Sequence, residues 1–302
     1  MKKLTIFTAP KPFVDPHIDL IQRNAIGSWL QMGNDVEVLL MGDEAGIAEA
    51  ARDFKVTHVE NVKKNEQGTP LISSIFEKAN EISEASSLMF VNSDMLLLPE
   101  TKEMTSRVQK DTAKFILLGQ RYDLDVDQKL EYSSGWIQRL RDDVRTRGYL
   151  HPLGGSDYFI FPRSLYKGIP EFAVGRAGWD NWMIYYGMSQ GWLVVDATPS
   201  LLVVHQNHGY SHLAGDQSHQ RHPETMKNLE LAGGMRKMYS LLDVEYKLVD
   251  GKIQSIPWSL PRALHRFEQE LQPDELVGRG PRWWLLRGVR KLRRALQRTR
   301  RN

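Results

Sequence analysis

The first 118 residues alternate short apolar runs with longer amphipathic segments, and this alternation restricts the fold more than any other feature of the sequence. The apolar runs are typical of buried β-strands. They occupy Leu4–Thr8, Val36–Met41, Val56–Val59, Ser87–Val91 and Phe115–Leu118. Between the first two runs, Ile21, Ala25 and Trp29 recur at helical spacing. Strands that alternate with helices predict an α/β fold with a mostly parallel sheet and helices on both faces.

Charge is distributed unevenly along the 302 residues. The formal net charge is +3, but residues 281–302 contain nine Arg or Lys and no acidic residue, so the remainder is net negative. In the charged segment 121–150, Asp123, Asp125 and Asp127 alternate. We interpret this segment as solvent-exposed, because it lacks the Gly and the terminal Glu of a calcium loop. The absence of Cys excludes disulfides and thiolate metal sites.

The most informative polar residues follow the fourth predicted strand. Asn92, Ser93 and Asp94 come directly after the apolar run that ends at Val91. A carboxylate at this position can bind a hard divalent cation, and that cation can bridge the phosphates of a nucleoside diphosphate. The same Asp could instead cap a turn or a helix. Asp43 follows the second strand, and ligands of parallel sheets bind at this edge, beyond the carboxyl ends of the strands.

A glycine turn and a histidine cluster lie further along the chain. Gly154 and Gly155 open a turn that includes Asp157. Glycine lets the backbone approach a ligand closely, although Gly-Gly also makes ordinary turns. His205 and His208 follow another apolar run. An imidazole at the end of a strand can complete a metal site that a carboxylate begins.

An acidic residue between two tryptophans is a further candidate for the functional site. Asp180 lies between Trp179 and Trp182 at the predicted start of a helix, four residues after Arg176. A helix cap and core packing would explain these residues. The functional interpretation makes Asp180 a general base, a Trp a platform for a sugar ring, and Arg176 a phosphate ligand.

The order of these features resembles the GT-A superfamily of glycosyltransferases, over roughly residues 4–212. The resemblance implies a Rossmann-like sheet, a metal-binding Asp-x-Asp motif, a glycine-rich loop on the acceptor side, an acidic residue on a helix and a C-terminal metal-binding His. Two departures stand out. Asn92 replaces the first Asp of the motif, and the helix acid lies in Trp-Asp-Asn where the family has Glu-Asp.

The resemblance implies a role for each position. Asp94 and His205 would bind Mn²⁺ or Mg²⁺, with His208 as the competing ligand, and Asp180 would be the catalytic residue. The nucleotide-sugar donor would contact Asp43, Asn92, Ser93, Arg176 and His208. The acceptor would contact Gly154, Gly155, Asp157, Trp179 and Trp182. If transfer inverts the sugar's configuration, Asp180 is the general base; if it retains the configuration, Asp180 orients acceptor or donor. The sequence leaves both open.

We therefore predict transfer of a sugar from a nucleoside diphosphate sugar to a hydroxyl of a glycan or lipid-linked acceptor. The predicted parts are a catalytic domain at 1–222, divided into a nucleotide-binding half at 1–100 and an acceptor half at 101–222, a helical extension at 223–280 and a basic tail at 281–302. A sugar-phosphate nucleotidyltransferase is the closest alternative, but its glycine-rich loop after the first strand is missing. A non-catalytic module that binds nucleotide sugar or nucleic acid is the other alternative.

The basic tail has an apolar face. Leu285, Val289 and Leu292 recur at helical spacing after Trp283 and Trp284. A basic amphipathic helix with such a face is typical of a helix at an anionic membrane surface. Nucleic acid would also attract nine positive charges, but it does not require the apolar face, so we expect no nucleic-acid partner. A disordered tail is the third possibility. We predict a cytoplasmic protein at the inner face of the membrane.

Overall fold

The computed structural model describes residues 2–208, 222–274 and 278–298, so the last four residues of the predicted basic tail lie outside the described part. The strands are β1 (Leu4–Thr8), β2 (Val36–Met41), β3 (Thr57–Val59), β4 (Ser87–Val91), β5 (Met95–Leu97), β6 (Phe115–Leu118), β7 (Tyr122–Leu124), β8 (Tyr149–Leu150), β9 (Tyr158–Pro162), β10 (Leu193–Asp196), β11 (Val203–Gln206), β12 (Tyr246–Val249) and β13 (Lys252–Ser255). The helices are α1 (Pro16–Leu30), α2 (Ile47–Phe54), α3 (Ile72–Ile82), α4 (Glu100–Asp111), α5 (Trp136–Arg147), α6 (Trp179–Ser189), α7 (Pro223–Ala232), α8 (Leu260–Leu271) and α9 (Pro281–Arg298).

The central sheet has the strand order β13-β12-β10-β6-β9-β4-β1-β2-β3. Strands β1 to β4 run parallel, as do β6, β10 and β12, while β9 lies antiparallel between β4 and β6. The predicted Rossmann-like α/β fold is therefore confirmed. The chain order reverses at β1, which has β2 on one side and β4 on the other, and a crevice forms beyond the carboxyl ends of strands at such a point.

Apolar residues of β1 pack into both layers that cover the sheet. Leu4 and Ile6 lie in a core with Trp29 of α1, and all three side chains are fully buried. Phe7 lies in the other core, with its ring centroid 5.0 Å from that of Phe76 on α3. Full burial of one large apolar side chain contributes about 1.5–3 kcal/mol to stability, so the two layers of helices hold the sheet from both faces.

A second, smaller sheet with the order β5-β11-β7-β8 lies against α1. Its register places His205 of β11 opposite Met95 of β5 on one side and opposite Asp123 of β7 on the other. Trp29 Nε1 donates a hydrogen bond of 2.8 Å to the Met95 carbonyl. The sheet therefore brings the end of β4 next to β11.

The segment 223–280 contains more than the predicted helices. Besides α7 and α8 it includes the hairpin β12–β13, which extends the central sheet because β12 pairs with β10. These strands are short and largely polar, so their hydrophobic pattern does not indicate a buried strand. Helix α9 packs on α8 at the C-terminal end of the described chain. Each helix within the described ranges is too short or too polar to traverse a lipid bilayer.

We expect Gln206→Ala to destabilise the protein, because the Gln206 side chain is fully buried and ties α1 to the small sheet. Its Nε2 donates to the carbonyl oxygens of Ile21 and Asp94, at 2.7 and 3.1 Å. Loss of these bonds removes partners from buried polar groups, which lowers the free energy of unfolding by about 1–3 kcal/mol. Urea denaturation would measure the change, and Gln254→Ala on the exposed side of β13 is the control. Equal stability of the two variants would contradict this role of Gln206.

Candidate active site

A cleft of about 550 Å³ opens at the carboxyl ends of β1 and β4. One wall consists of the loop after β1, the residues after β4 and the two histidines of the β11 region. The opposite wall consists of the segment that leads into α6. Most of the predicted site residues line this cleft, namely Asn92, Ser93, Asp94, Asp157, Arg176, Trp179, Asp180, His205 and His208.

Asp94 lies at the bottom of the cleft with 6% of its surface exposed. His208 Nε2 donates a hydrogen bond of 3.0 Å to Asp94 Oδ2, and His205 Nε2 lies 3.9 Å from the same oxygen. Burial alone would raise the pKa of Asp94. The hydrogen bond from His208 and the electrostatic effects of the neighbouring His205 and Lys11 outweigh burial and hold that pKa well below its usual range. Asp94 is therefore an ionised carboxylate in a buried position.

The three residues fit a divalent cation. Asp94, His205 and His208 each offer one ligand atom, and these atoms lie within 4.8 Å of one another. Asp94 Oδ1 is buried and has no hydrogen-bond partner among the described residues, so it is available to a metal. A carboxylate with two imidazoles suits Mn²⁺ better than Mg²⁺, which prefers oxygen ligands alone. The sequence left His205 and His208 as competitors, and the structure places both beside Asp94.

Asp123 contacts His205 at Nδ1, and the sequence alone did not indicate this contact. His205 Nδ1 lies 3.1 Å from Asp123 Oδ1, a contact that is close enough for an ion pair but poorly aligned for a hydrogen bond. Arg121 Nε donates to the same oxygen at 2.9 Å, and His151 Nδ1 lies 2.6 Å from Asp123 Oδ2. A carboxylate at Nδ1 favours the tautomer whose Nε2 is free to face Asp94, the usual arrangement behind a metal-binding histidine. The interpretation of 121–150 as solvent-exposed was therefore wrong at Asp123.

The neighbours of Asn92 explain why an amide stands where the GT-A motif has an Asp. Asn92 Nδ2 donates a hydrogen bond of 2.8 Å to Asp157 Oδ1, and Arg121 pairs with the other oxygen of Asp157. A second carboxylate at position 92 would face Asp157 and repel it. Ser93 is turned inward, because its hydroxyl donates to Gln22 Oε1 at 2.7 Å.

Lys11 is a second residue that the sequence analysis missed. It lies in the loop after β1, with Nζ 2.9 Å from His208 Nε2 and 3.7 Å from Asp94 Oδ2. Burial lowers the pKa of Lys11, and the charge of Asp94 opposes that effect. The position of Lys11 in the sequence could have indicated this role, because a Lys between two prolines shortly after the first strand lies at the ligand-binding edge of the sheet.

Asp180 lies on the opposite wall, in the first turn of α6. Gly178, with a φ of 104°, precedes this helix, and Ser156 N–H donates to Asp180 Oδ2 at 3.4 Å. Burial, with a smaller contribution from the charge of Asp157, raises the pKa of Asp180 to about 6 against the effect of backbone hydrogen bonds. A Cβ at Gly155 would lie 2.6 Å from Asp180 Oδ2, so a side chain at position 155 would displace this carboxylate from its observed position.

Trp179 and Trp182, both predicted to contact the acceptor, lie in different surroundings. Trp179 packs on Phe90, with ring centroids 5.0 Å apart, and still lines the cleft. Trp182 lies in the core, where it stacks on Tyr186 at 4.7 Å and contacts Phe172. Trp182 is outside the set of residues that line the cleft, so its packing does not support the predicted contact with a sugar.

Three further predicted residues lie at the edge of the site or outside it. Arg176 lines the cleft but already pairs with Glu224 at 2.7 Å. Asp43 is half-exposed and pairs with Lys64. Gly154 lines a second cavity next to the cleft.

Comparison with known proteins gives structural neighbours only. No family model and no curated protein sequence matches the chain. A mannosyltransferase from Pyrobaculum calidifontis, solved with GDP-mannose and Mn²⁺, is 13% identical, with a TM-score of 0.45; the similarity covers 69% of this chain and 58% of that one. The glucosyl-3-phosphoglycerate synthase of Mycobacterium tuberculosis, solved with Mn²⁺ and UDP, is 13% identical over 86% of this chain and 88% of its own, with a TM-score of 0.44.

A mycobacterial protein is 14% identical, with a TM-score of 0.48, over 86% of this chain and 85% of its own. At these identities and TM-scores, the similarities assign no activity and no ligand to this chain.

We expect Asp123→Asn to weaken Mn²⁺ binding, although Asp123 is not a ligand. An amide at this position loses the charge that orients His205, and loss of such a partner typically costs 10–100-fold in metal affinity. Titration of Mn²⁺, followed by the electron paramagnetic resonance signal of the free ion, would measure the affinity. Asp127→Asn is the matched control, because Asp127 belongs to the same alternating series but is exposed. An unchanged affinity in Asp123→Asn would contradict the supporting role.

Proposed function

We propose that this protein transfers a sugar from a nucleoside diphosphate sugar to a hydroxyl group of an acceptor. One observation carries the proposal: a single cleft holds a buried, ionised carboxylate with two histidines on one wall and a carboxyl group of raised pKa on the other. The first group can bind a metal ion that holds a diphosphate, and the second can accept a proton. Sugar transfer with inversion from a nucleoside diphosphate sugar uses both functions side by side.

The donor diphosphate lies, in this proposal, between the loop after β1 and the end of β4. Lys11 is a cation in this part of the cleft, and its position beside Asp94 places it near the phosphates. A divalent cation on Asp94, His205 and His208 would neutralise the charge of the departing nucleoside diphosphate. Glu44 lines the cleft, and Asp43, for which the sequence predicts contact with the nucleotide, directly precedes it in the chain.

The acceptor approaches from the side of α6. The acceptor oxygen forms a bond to the anomeric carbon while the bond from that carbon to the β-phosphate oxygen breaks, and the proton of the acceptor hydroxyl passes to Asp180. A carboxylate with a pKa near 6 is a stronger base than an ordinary Asp and is still ionised at neutral pH. This assignment corresponds to transfer with inversion.

A lipid-linked or surface glycan acceptor at an anionic membrane is the finer part of the proposal. Exposed large apolar side chains concentrate near the C-terminal end of the described chain. They include Trp258, Leu260, Phe267, Trp284, Leu285 and Leu292. Helix α9 carries basic residues and no acid, which complements a negatively charged surface. The apolar and basic groups together support peripheral attachment to the inner face of the membrane.

Donor binding and the pH profile test the proposed reaction. Among UDP, GDP, CDP and dTDP sugars, at least one should raise the melting temperature in the presence of Mn²⁺ and be hydrolysed slowly. The rate of transfer should fall as the pH drops through about 6, because protonation removes the base form of Asp180. In Asp180→Asn, the rate should fall at least about a hundredfold, the inflection near pH 6 should vanish, and the dissociation constant for the donor should stay unchanged.

Asp111→Asn, at an exposed position at the end of α4, is the control for this experiment and should keep the full rate and the inflection. The proposal fails if none of the four donor classes binds in the presence of Mn²⁺. A loss of donor binding in Asp180→Asn equal to the loss of transfer would make Asp180 a structural residue.

Membrane attachment is tested by changing side chains rather than by deleting α9. The double variant Leu285→Gln, Leu292→Gln removes two half-exposed apolar side chains and should release the protein from phosphatidylglycerol vesicles in a flotation assay. Val14→Gln with Ile82→Gln removes two exposed apolar side chains elsewhere and should leave binding intact. Equal binding of the two double variants, or equal binding to uncharged phosphatidylcholine vesicles, would refute attachment through α9.

A further inference from the structure

A second cavity of about 580 Å³ adjoins the cleft on the side of α6. It lies between α7, α8 and α9, and Ala177 and Asn181 line both spaces. Asn181 follows Asp180 directly in the chain. Its side-chain amide donates to the carbonyl oxygens of Gly154 and Tyr239, at 2.9 and 2.6 Å, so the boundary between the two spaces is fixed. A molecule in the second cavity would therefore lie next to the proposed base.

The wall on the side of α6 and α7 is apolar and adaptable. Met226, Leu229, Met235 and Met238 line it. Methionine has a flexible, polarisable side chain that adjusts to ligands of different shape. This wall suits an apolar portion of a ligand.

The wall formed by α8 and α9 carries an excess of positive charge. Arg290, Arg293 and Arg294 line the cavity, and Glu268 is the single acidic residue among its described lining residues. Arg293 binds both oxygens of Glu268, at 2.5 and 3.1 Å, and this buried pair fixes α9 on α8. Among the described lining residues, one carboxylate therefore faces three guanidinium groups.

The two cations beyond the buried pair face different surroundings. Arg290 Nη2 donates to Gln272 Oε1 at 2.8 Å, and its Nε lies 3.4 Å from Glu268 Oε2. Arg294 is exposed at the rim. Guanidinium groups bind phosphate through paired hydrogen bonds, and an uncompensated positive wall attracts an anion.

We infer that this cavity binds the phosphate group of an acceptor that also carries an apolar portion. The arginines of α9 hold the phosphate, the methionine wall covers the apolar portion, and the acceptor hydroxyl points past Asn181 towards Asp180. The identity of the ligand as an acceptor rests on the proposed function. The binding of a phosphate-bearing amphiphile in this cavity is independent of the proposed function.

Methionine methyl signals in the nuclear magnetic resonance spectrum report on the cavity directly. The probe is octyl phosphate, added to the full-length protein labelled with ¹³C at the methionine methyl groups, and the signals of Met226, Met235 and Met238 are assigned by single Met→Leu substitutions. We expect octyl phosphate to shift these three signals at lower concentration than inorganic phosphate or octyl glucoside. Those two compounds carry only the charge or only the apolar chain.

The variant Arg294→Gln should weaken octyl phosphate binding about tenfold or more, the typical loss for one charge-assisted hydrogen bond. Lys291→Gln removes one charge from the same helix outside the cavity lining and should leave the affinity unchanged. Both positions are exposed, so both variants should fold.

Three results would overturn the inference. Inorganic phosphate that binds as well as octyl phosphate would show an anion site without an apolar subsite. Octyl glucoside that binds as well would show an apolar pocket without a role for the arginines. An equal loss in Arg294→Gln and Lys291→Gln would show attraction by the overall charge of α9. Mn²⁺-dependent hydrolysis of the donor, measured in the same samples, reports separately on the proposed function and should persist in Arg294→Gln.

Discussion

The burial of Asp94 is the constraint on which the rest of the site depends. A carboxylate that loses its hydration is unfavourable by several kcal/mol unless charges and hydrogen bonds replace the water. The fold supplies these from separate parts of the chain, because β11 pairs beside the end of β4 and the loop after β1 lies at the same edge. His208, His205 and Lys11 surround one oxygen of Asp94, and the other oxygen has no hydrogen-bond partner within the described part of the chain. That second oxygen is available to a divalent cation.

Carboxylates and cations also alternate among the residues behind the proposed metal ligands. Asp123 contacts His205, Arg121 joins Asp123 to Asp157, and Asp157 accepts from the amide of Asn92. The pattern explains the departure from an Asp-x-Asp motif. Position 92 faces a carboxylate that Arg121 already neutralises, so an amide donor satisfies Asp157 where an additional negative charge would destabilise it. The loss of charge at position 92 reflects local pairing and leaves the ligand set around Asp94 intact.

The sequence predicted the parts of the site that lie at the ends of apolar runs. Asp94 follows β4, and ligands of a parallel sheet bind beyond such strand ends. His205 lies in β11 of the small sheet, and the pairing of β11 with β5 brings it next to Asp94. Asp123 was not predictable in the same way: it lies on a short strand in a charged segment, and its role depends on register with β11, which periodicity does not encode. Trp182 is buried for a reason that the sequence pattern does not show. A Trp near an acidic residue suggests a sugar platform, but the interior of the protein also needs large aromatic side chains, and packing with Phe172 and Tyr186 decided its place.

Helix α9 has two faces with different partners, which the basic, amphipathic pattern alone does not reveal. Leu286 and Arg293 are buried against α8, whereas Leu285 and Leu292 remain half-exposed on the outer side. Removal of the helix would take away the cations that pair with Glu268 and one wall of the second cavity, so a truncation would combine loss of the outer surface with damage to the cavity. The two faces are separated by no more than one helix diameter, about 10 Å. If the outer face rests on a membrane, the arginine wall of the second cavity therefore lies within reach of a phosphate at the bilayer surface, and the same helix would attach the protein and present the acceptor.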